Sequence, residues 1–507
     1  MSLLLLPLLL LAQDAAPADP APPRDWAATL RTDAQAMHDD IAANHPGPVN
    51  ALDPDFSERN DAGLALALTR AGKVTDFAGY YHALKAYAAA FDDGHLNIRT
   101  SDTAPALAAR WPGFLTGFDG ERQVVKSSAD DAPVPMGAVL EGCDGEPADR
   151  LAAETVGAFE GRWFLAARRL RLGGQLFVDR GNPFVARPAH CRFLVDGARR
   201  GVTLVWRPIA REALAARLHD TDQMAREPIG ARTLADGTRW FTLSGFDGDP
   251  DSVDARALGP LIEAMRANRA ALAAAPRIVL DLRGNNGGSS DWSAQIAAIL
   301  WGQQRIEALP GATGVDWRAS AANVKTLGDF RDHVRDAPGT SDAMKRWIDA
   351  TVNGVTAAHE RGEPLWRFAD PEPAKTPGQP PAPPAGPVYF VTDSGCASAC
   401  LDAADLWKAL GAIQVGQETS ADTLYMDVRQ DELPSGLTRI AVPMKVYRGR
   451  ERGSNEPLRP VHPYPGDLRD TGTLAKWIAT LPENRRPPAS RETARSPRLS
   501  FAPARRG

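Results

Sequence analysis

Two apolar runs, Arg277-Ile278-Val279-Leu280-Asp281-Leu282 and Val388-Tyr389-Phe390-Val391, constrain this chain more than any other feature. Both are continuous and lack the alternation of a half-exposed strand, as a parallel strand covered on both faces requires. Each leads into a turn of small residues and then into a helical pattern. Strand candidates Thr238 to Leu243 and Ile413 to Gly416, and the amphipathic stretch Ala255 to Ala275, continue the alternation. Segments 227–302 and 386–480 are therefore predicted to form one α/β core.

The 83 residues between these halves, 303–385, form an insertion. Its first part has helical patterns (Ser341 to Glu360), which suit a cap over a cleft or a decoration. Eight prolines between Pro371 and Pro387 make its last part a stiff linker or exposed loop. At 507 residues the chain is too long for one core. Residues 23–100 read as a helical domain, Ala-rich from Trp26 and from Phe77 to Phe91, interrupted at His45-Pro46-Gly47-Pro48 and ending at Asp92-Asp93-Gly94-His95. Residues 111–210 change to short β runs and glycine turns. There Met136 to Pro147, then Ala148 to Leu151, give the strand, turn and short helix of a peptide-binding β module. Cys191 to Asp196 and Gly201 to Arg207 supply two further strands.

The formal charge of −5 excludes a nucleic-acid binder with a basic face. Seven arginines do occur among the prolines and serines after Pro482, and 481–507 reads as a disordered basic tail. The apolar run Leu3 to Ala12 is shorter than the about 20 residues a bilayer span takes. With Gln-Asp-Ala-Ala-Pro-Ala behind it, 1–22 reads as a signal peptide and disordered start. The mature protein is expected to be exported, periplasmic or secreted, without stable membrane insertion. Cys143, Cys191, Cys396 and Cys400 allow three disulfide pairings. No CxxC or HExxH occurs, so no metal site is expected, and nothing calls for a cofactor.

Three segments could carry chemistry. Asp281-Leu282-Arg283-Gly284-Asn285-Asn286-Gly287-Gly288 follows a buried strand, and its backbone N–H groups could hold a phosphate or an oxyanion. It lacks both the GK[ST] of a P-loop and the G-x-G of a dinucleotide site, and could also be only a tight turn. Thr392-Asp393-Ser394-Gly395-Cys396-Ala397-Ser398-Ala399-Cys400 presents Ser398 at a helix start, where a nucleophile is favoured. The alternative is that these serines cap the helix, which fits Ser394 better than Ser398. His95 has the titration range of a general base, although a lone histidine at a helix end is often structural.

Together the glycine-rich turn, the Ala397-Ser398-Ala399 turn and Gly416-Gln417-Glu418-Thr419 resemble the core of the carboxyl-terminal-processing (tail-specific) serine peptidases. That group includes the tricorn protease core and the interphotoreceptor retinoid-binding modules. The resemblance implies a ClpP/crotonase-like α/β core and a PDZ-like module at 111–210. It also implies Ser398 as nucleophile, with Gly287, Gly288 and Ala399 as the oxyanion hole. In the processing branch the base is a lysine soon after Gly-Glu-x-Thr. Here that place reads Ser420-Ala421-Asp422-Thr423-Leu424, and Lys445, read as a surface residue, comes 47 positions after Ser398.

The tricorn-like branch pairs serine with a histidine from the N-terminal helical region and a distant glutamate. His95 in Asp93-Gly94-His95 matches that histidine, and Glu456, ahead of Val461-His462-Pro463, matches that glutamate. Arg459-Pro460 and Tyr464 depart from the branch pattern around it. His462 is a rival base and Cys396 a rival nucleophile. Asp402 stands where the family often has Glu and reads as structural. The implied activity is an exported serine peptidase acting on peptide or unfolded protein through Ser398, His95 and Glu456. The alternative is a catalytically silent peptide- or ligand-binding protein on the same fold. An α/β-hydrolase esterase would need G-x-S-x-G, which Cys396-Ala397-Ser398-Ala399-Cys400 lacks.

Overall fold

The computed structural model describes residues 24–482, except 223, 226, 311–313, 338–339 and 369–375. The predicted signal peptide, nearly all of the basic tail and part of the proline-rich stretch lie outside these residues.

The two apolar runs become adjacent parallel strands, Ile278–Asp281 and Val388–Thr392, paired from Ile278 with Val388 to Asp281 with Val391. They are central in a six-stranded sheet ordered Gly230–Thr233, Arg239–Thr242, Ile278–Asp281, Val388–Thr392, Ile413–Gly416, His462–Pro463. All neighbours are parallel except the first pair. Side chains alternate between the faces. Ile278, Leu280 and Phe390 pack with Leu258, Ile296 and Trp407 on one side. Val279, Tyr389, Val391 and Val415 pack with Tyr464, Leu474 and Ile478 on the other. Apolar layers on both faces account for the absence of alternation in the sequence.

A second sheet collects distant parts of the chain. Strand Thr438–Arg448 pairs antiparallel with Asn97–Thr100, with Tyr425–Glu432 and with Gly314–Arg318, which in turn pairs with Leu365–Phe368. The N-terminal helices Trp26–Asn44, Phe56–Arg70 and Phe77–Ala89 lay Leu30, Met37, Ile41, Tyr80 and Tyr87 against Ile440, Val442 and Val446. The insertion contains the expected helix, now Asp342–Glu360, and it also contributes two strands to this sheet.

In the 111–210 region, strands Phe114–Phe118, Gln123–Ser128, Val139–Cys143, His190–Val195 and Ala198–Thr203 form one sheet, with the short strand Glu146–Pro147 on Val139–Cys143. Cys143 and Cys191 stand directly opposite each other in adjacent strands and are disulfide-bonded. The short helix after Pro147 runs Ala148–Ala152 and continues helically to Glu160. The chain thus joins a helical N-terminal region to mixed α/β sheets. Among the described residues no helix is long and apolar enough to cross a membrane.

Candidate active site

Ser398 caps the helix Ala399–Ala409 and adopts φ 54°, ψ −127°. A non-glycine residue there costs on the order of 1–3 kcal/mol and persists only when its surroundings over-determine it. Three features do so. The Ser398 N–H donates to Asp422 Oδ2 at 2.5 Å. A disulfide joins Cys396 to Cys400 around the turn. Gly287 lies against the serine so closely that a Cβ there would come 2.6 Å from Ser398 Cβ. Ser394, the better helix cap on sequence grounds, is instead buried in the preceding turn.

The glycine-rich turn is built by side chains that consume its own polar groups. Asp281 holds the buried Arg283, whose guanidinium also reaches Leu468 O. Asn285 donates to Leu243 O at 2.7 Å and accepts the Gly287 N–H at 2.9 Å. Asp393 ties this turn to the serine turn by accepting the N–H groups of Gly284 and Gly395, each at 2.8 Å. Burial raises the Asp393 pKa to about 6 although both donors oppose it.

These bonds refine the expected oxyanion hole. The Gly287 N–H is already committed to Asn285. Among the described residues no acceptor is recorded for the Gly288 and Ala399 N–H groups, so of the glycine pair only the Gly287 N–H is engaged. Gly287 contributes by lacking a side chain, at φ 108°. Gly287→Ala is expected to lower unfolding free energy by about 1–3 kcal/mol in urea titrations and to displace Ser398. Wild-type stability in that variant would show that the close approach is not required.

Segment 419–423, which overlaps the lysine-free stretch Ser420 to Leu424, ties the surrounding loops together. Asp422 grips Ser398 and, through its carbonyl, the Asn455 N–H at 2.7 Å. Thr423 Oγ1 donates to Asp93 Oδ2 at 3.0 Å. Thr419 exchanges hydrogen bonds with Leu458. Asn455 Nδ2 returns to Asp92 O at 3.0 Å. The serine turn, the His95 loop and the 453–458 segment are thus fastened to one five-residue stretch.

His95 sits in that loop with its backbone N–H on Asp93 Oδ1 at 2.8 Å. Its buried Nδ1 has no hydrogen-bond partner, and the nearest carboxylate oxygen in an ion-pair arrangement is Asp93 Oδ1 at 3.8 Å. Burial raises the Asp93 pKa, opposed chiefly by the neighbouring His95. Glu456 is exposed, and its Oε2 accepts the Gly453 N–H at 2.9 Å. Among the described residues no hydrogen bond joins Glu456 to His95, or His95 to Ser398.

Lys445 corrects its reading as a surface residue. It is buried, 2.9 Å from Asp427, with its ammonium over the Trp317 and Tyr447 rings. Burial alone would lower its pKa, but Asp427 and Tyr447 hold it above the ordinary lysine value. A lysine kept charged is a poor general base. His462 lies on the edge strand beside Val415. Cys396 is disulfide-bonded and cannot act as the nucleophile. Asp402 accepts from Ser290 Oγ at 2.8 Å and faces Arg452, a structural bridge as expected.

Asp422 and Thr423 were not singled out as site residues from sequence. The available signal was position: they follow the Gly416 strand, in the stretch where the processing branch carries its base.

The parallel sheet delivers a serine with positive φ and a glycine-rich turn to one point at its strand ends. Residues 252–456 match the model of Peptidase family S41. Most of the chain is similar in fold to solved structures. Mature CPAF complexed with lactacystin has a TM-score of 0.59 at 14% identity, covering 90% of this chain and 97% of that one. Mature CPAF gives 0.57 at 13%, covering 90% and 96%. No curated protein matches the chain by sequence.

Proposed function

We infer that this chain is an exported serine peptidase that hydrolyses peptide bonds through an acyl-enzyme. Ser398 Oγ attacks the scissile carbonyl while His95 takes its proton. The oxyanion is held by the Gly288 and Ala399 N–H groups at the helix start. His95 then protonates the leaving amine, and in the second half of the cycle it removes a proton from the water that hydrolyses the ester. The core is read as ClpP/crotonase-like and the 111–210 sheet as a PDZ-like module, with peptide lying as an added strand beside the core. Export is supported by two disulfides, which persist in oxidising compartments. The observation that carries the reading is the strained Ser398, gripped by the same short segment that fastens the His95 loop.

The resemblance assigns Glu456 to orient the imidazole. The 3.8 Å approach of Asp93 to His95 Nδ1 favours Asp93 for that role. Asp93→Asn is expected to lower kcat by about 100-fold or more, since a carboxylate sets tautomer and stabilises the imidazolium. Glu456→Gln should cost less than about tenfold on the same scale. The reverse order in steady-state kinetics would return the role to Glu456.

A fluorophosphonate probe tests the peptidase reading. The wild-type protein is expected to take up one label, mapped to Ser398 by peptide mass spectrometry. Absence of labelling between pH 6 and 9 would leave a silent peptide-binding protein on the same fold.

A further inference from the structure

The two disulfides of this chain occupy different kinds of place. Cys143–Cys191 joins residues 48 apart in two strands that already pair, within a core cluster separate from the one that holds Cys396 and Cys400. Cys396–Cys400 spans only four positions and brackets Ser398. A crosslink constrains the unfolded chain less the shorter the loop it closes, so the second bond is poorly placed to stabilise the fold as a whole. Its ring nevertheless encloses a residue whose backbone conformation is unfavourable on its own, Ser398 at φ 54°.

The bonds around this ring hold its ends. The Cys396 N–H donates to Asp393 O at 3.2 Å, and the Cys400 N–H to Ala397 O at 3.1 Å. Both cysteines are fully buried in the core cluster that contains Phe390, Ala399, Leu401 and Trp407. Asp422, also buried, holds the Ser398 N–H. The disulfide closes the turn around Ser398 and Asp422 holds its N–H, while no described hydrogen bond engages its hydroxyl.

The geometry points to the Cys396–Cys400 disulfide as a positioning device for the Ser398 hydroxyl, required for the rate of acylation rather than for the fold. This rests on Ser398 being the nucleophile. Cys396 and Cys400 are positioning residues, since neither sulfur takes part in the reaction. A turn released from the ring can relax toward an ordinary helical start, carrying Oγ away from the Gly288 and Ala399 N–H groups. Displacements of this kind are costly to catalysis while substrate binding elsewhere is retained.

The test compares Cys396→Ala/Cys400→Ala with Cys143→Ala/Cys191→Ala in the full chain. Melting midpoint, fluorophosphonate acylation rate, and kcat and KM on a peptide substrate are measured for each. The expected result is a split. Without the 396–400 bond, the acylation rate and kcat fall at least about tenfold, KM changes less than about threefold, and the melting midpoint moves little. Without the 143–191 bond, the melting midpoint drops and kcat per folded molecule is kept. Cys396→Ser/Cys400→Ser, nearer in volume, repeats the measurement should the alanine pair fail to fold. Acylation at the wild-type rate in either folded variant overturns the positioning role, as does a kcat loss no larger than the unfolded fraction. Failure of both pairs to fold also overturns it, because the bond would then serve the fold. A wild-type protein that takes up no probe at Ser398 is a separate result, which removes the nucleophile and the positioning role with it.

Discussion

Ser398→Ala is expected to abolish fluorophosphonate labelling and to lower kcat by roughly 10⁴-fold or more, about 5 kcal/mol of barrier. The substitution removes only Oγ. Alanine keeps the backbone N–H that Asp422 accepts, and it is no less tolerant of φ 54° than serine. The fold should therefore survive, and a melting midpoint near that of the wild type will show it. Ser394→Ala is the matched control, because Ser394 is buried in the preceding turn and should leave labelling intact. Persistent labelling of Ser398→Ala would remove the serine from the chemistry.

His95→Ala is expected to slow acylation by at least about 100-fold, close to 3 kcal/mol, the ordinary scale for losing a general base. The loss should fall on the acylation rate and leave KM nearly unchanged, since the imidazole acts on the proton in flight. A near-normal rate would transfer the role to another group. His462 would be the remaining histidine candidate, because Lys445 is held charged by Asp427 and Tyr447. The prediction is demanding because no hydrogen bond links His95 to Ser398 in this structure. Catalytic hydrogen bonds of this kind often tighten only when substrate is bound.

The core was legible because burial on two faces leaves an unmistakable pattern. The run Arg277 to Leu282 became Ile278–Asp281, and Ile413 to Gly416 was recovered to the residue. The serine turn was legible because small residues next to a buried strand have few other uses. Ala255 to Ala275, read as one helix, divides at Asn268, which caps the first piece with non-helical dihedrals. A break at one polar residue leaves the apolar period on both sides intact, so periodicity cannot reveal it. Asp422 and Thr423 were illegible for another reason. Their partners, Ser398 and Asp93, are 24 and 330 positions away, and only the folded sheet order brings them together. The strands Gly314–Arg318 and Leu365–Phe368 were hidden by the helices and prolines around them.

Those two strands bear on how the enzyme could be shortened. The 303–385 segment is joined through Gly314–Arg318 to the Lys445–Arg448 end of Thr438–Arg448; the other end of the same edge carries Asn97–Thr100, which begins two residues after His95, and Tyr425–Glu432 covers the opposite edge. Trimming the segment would leave a row of main-chain groups on Thr438–Arg448 bare and open to pairing with other copies. A minimal version of this protein should therefore keep both strands and give up only what loops out between them.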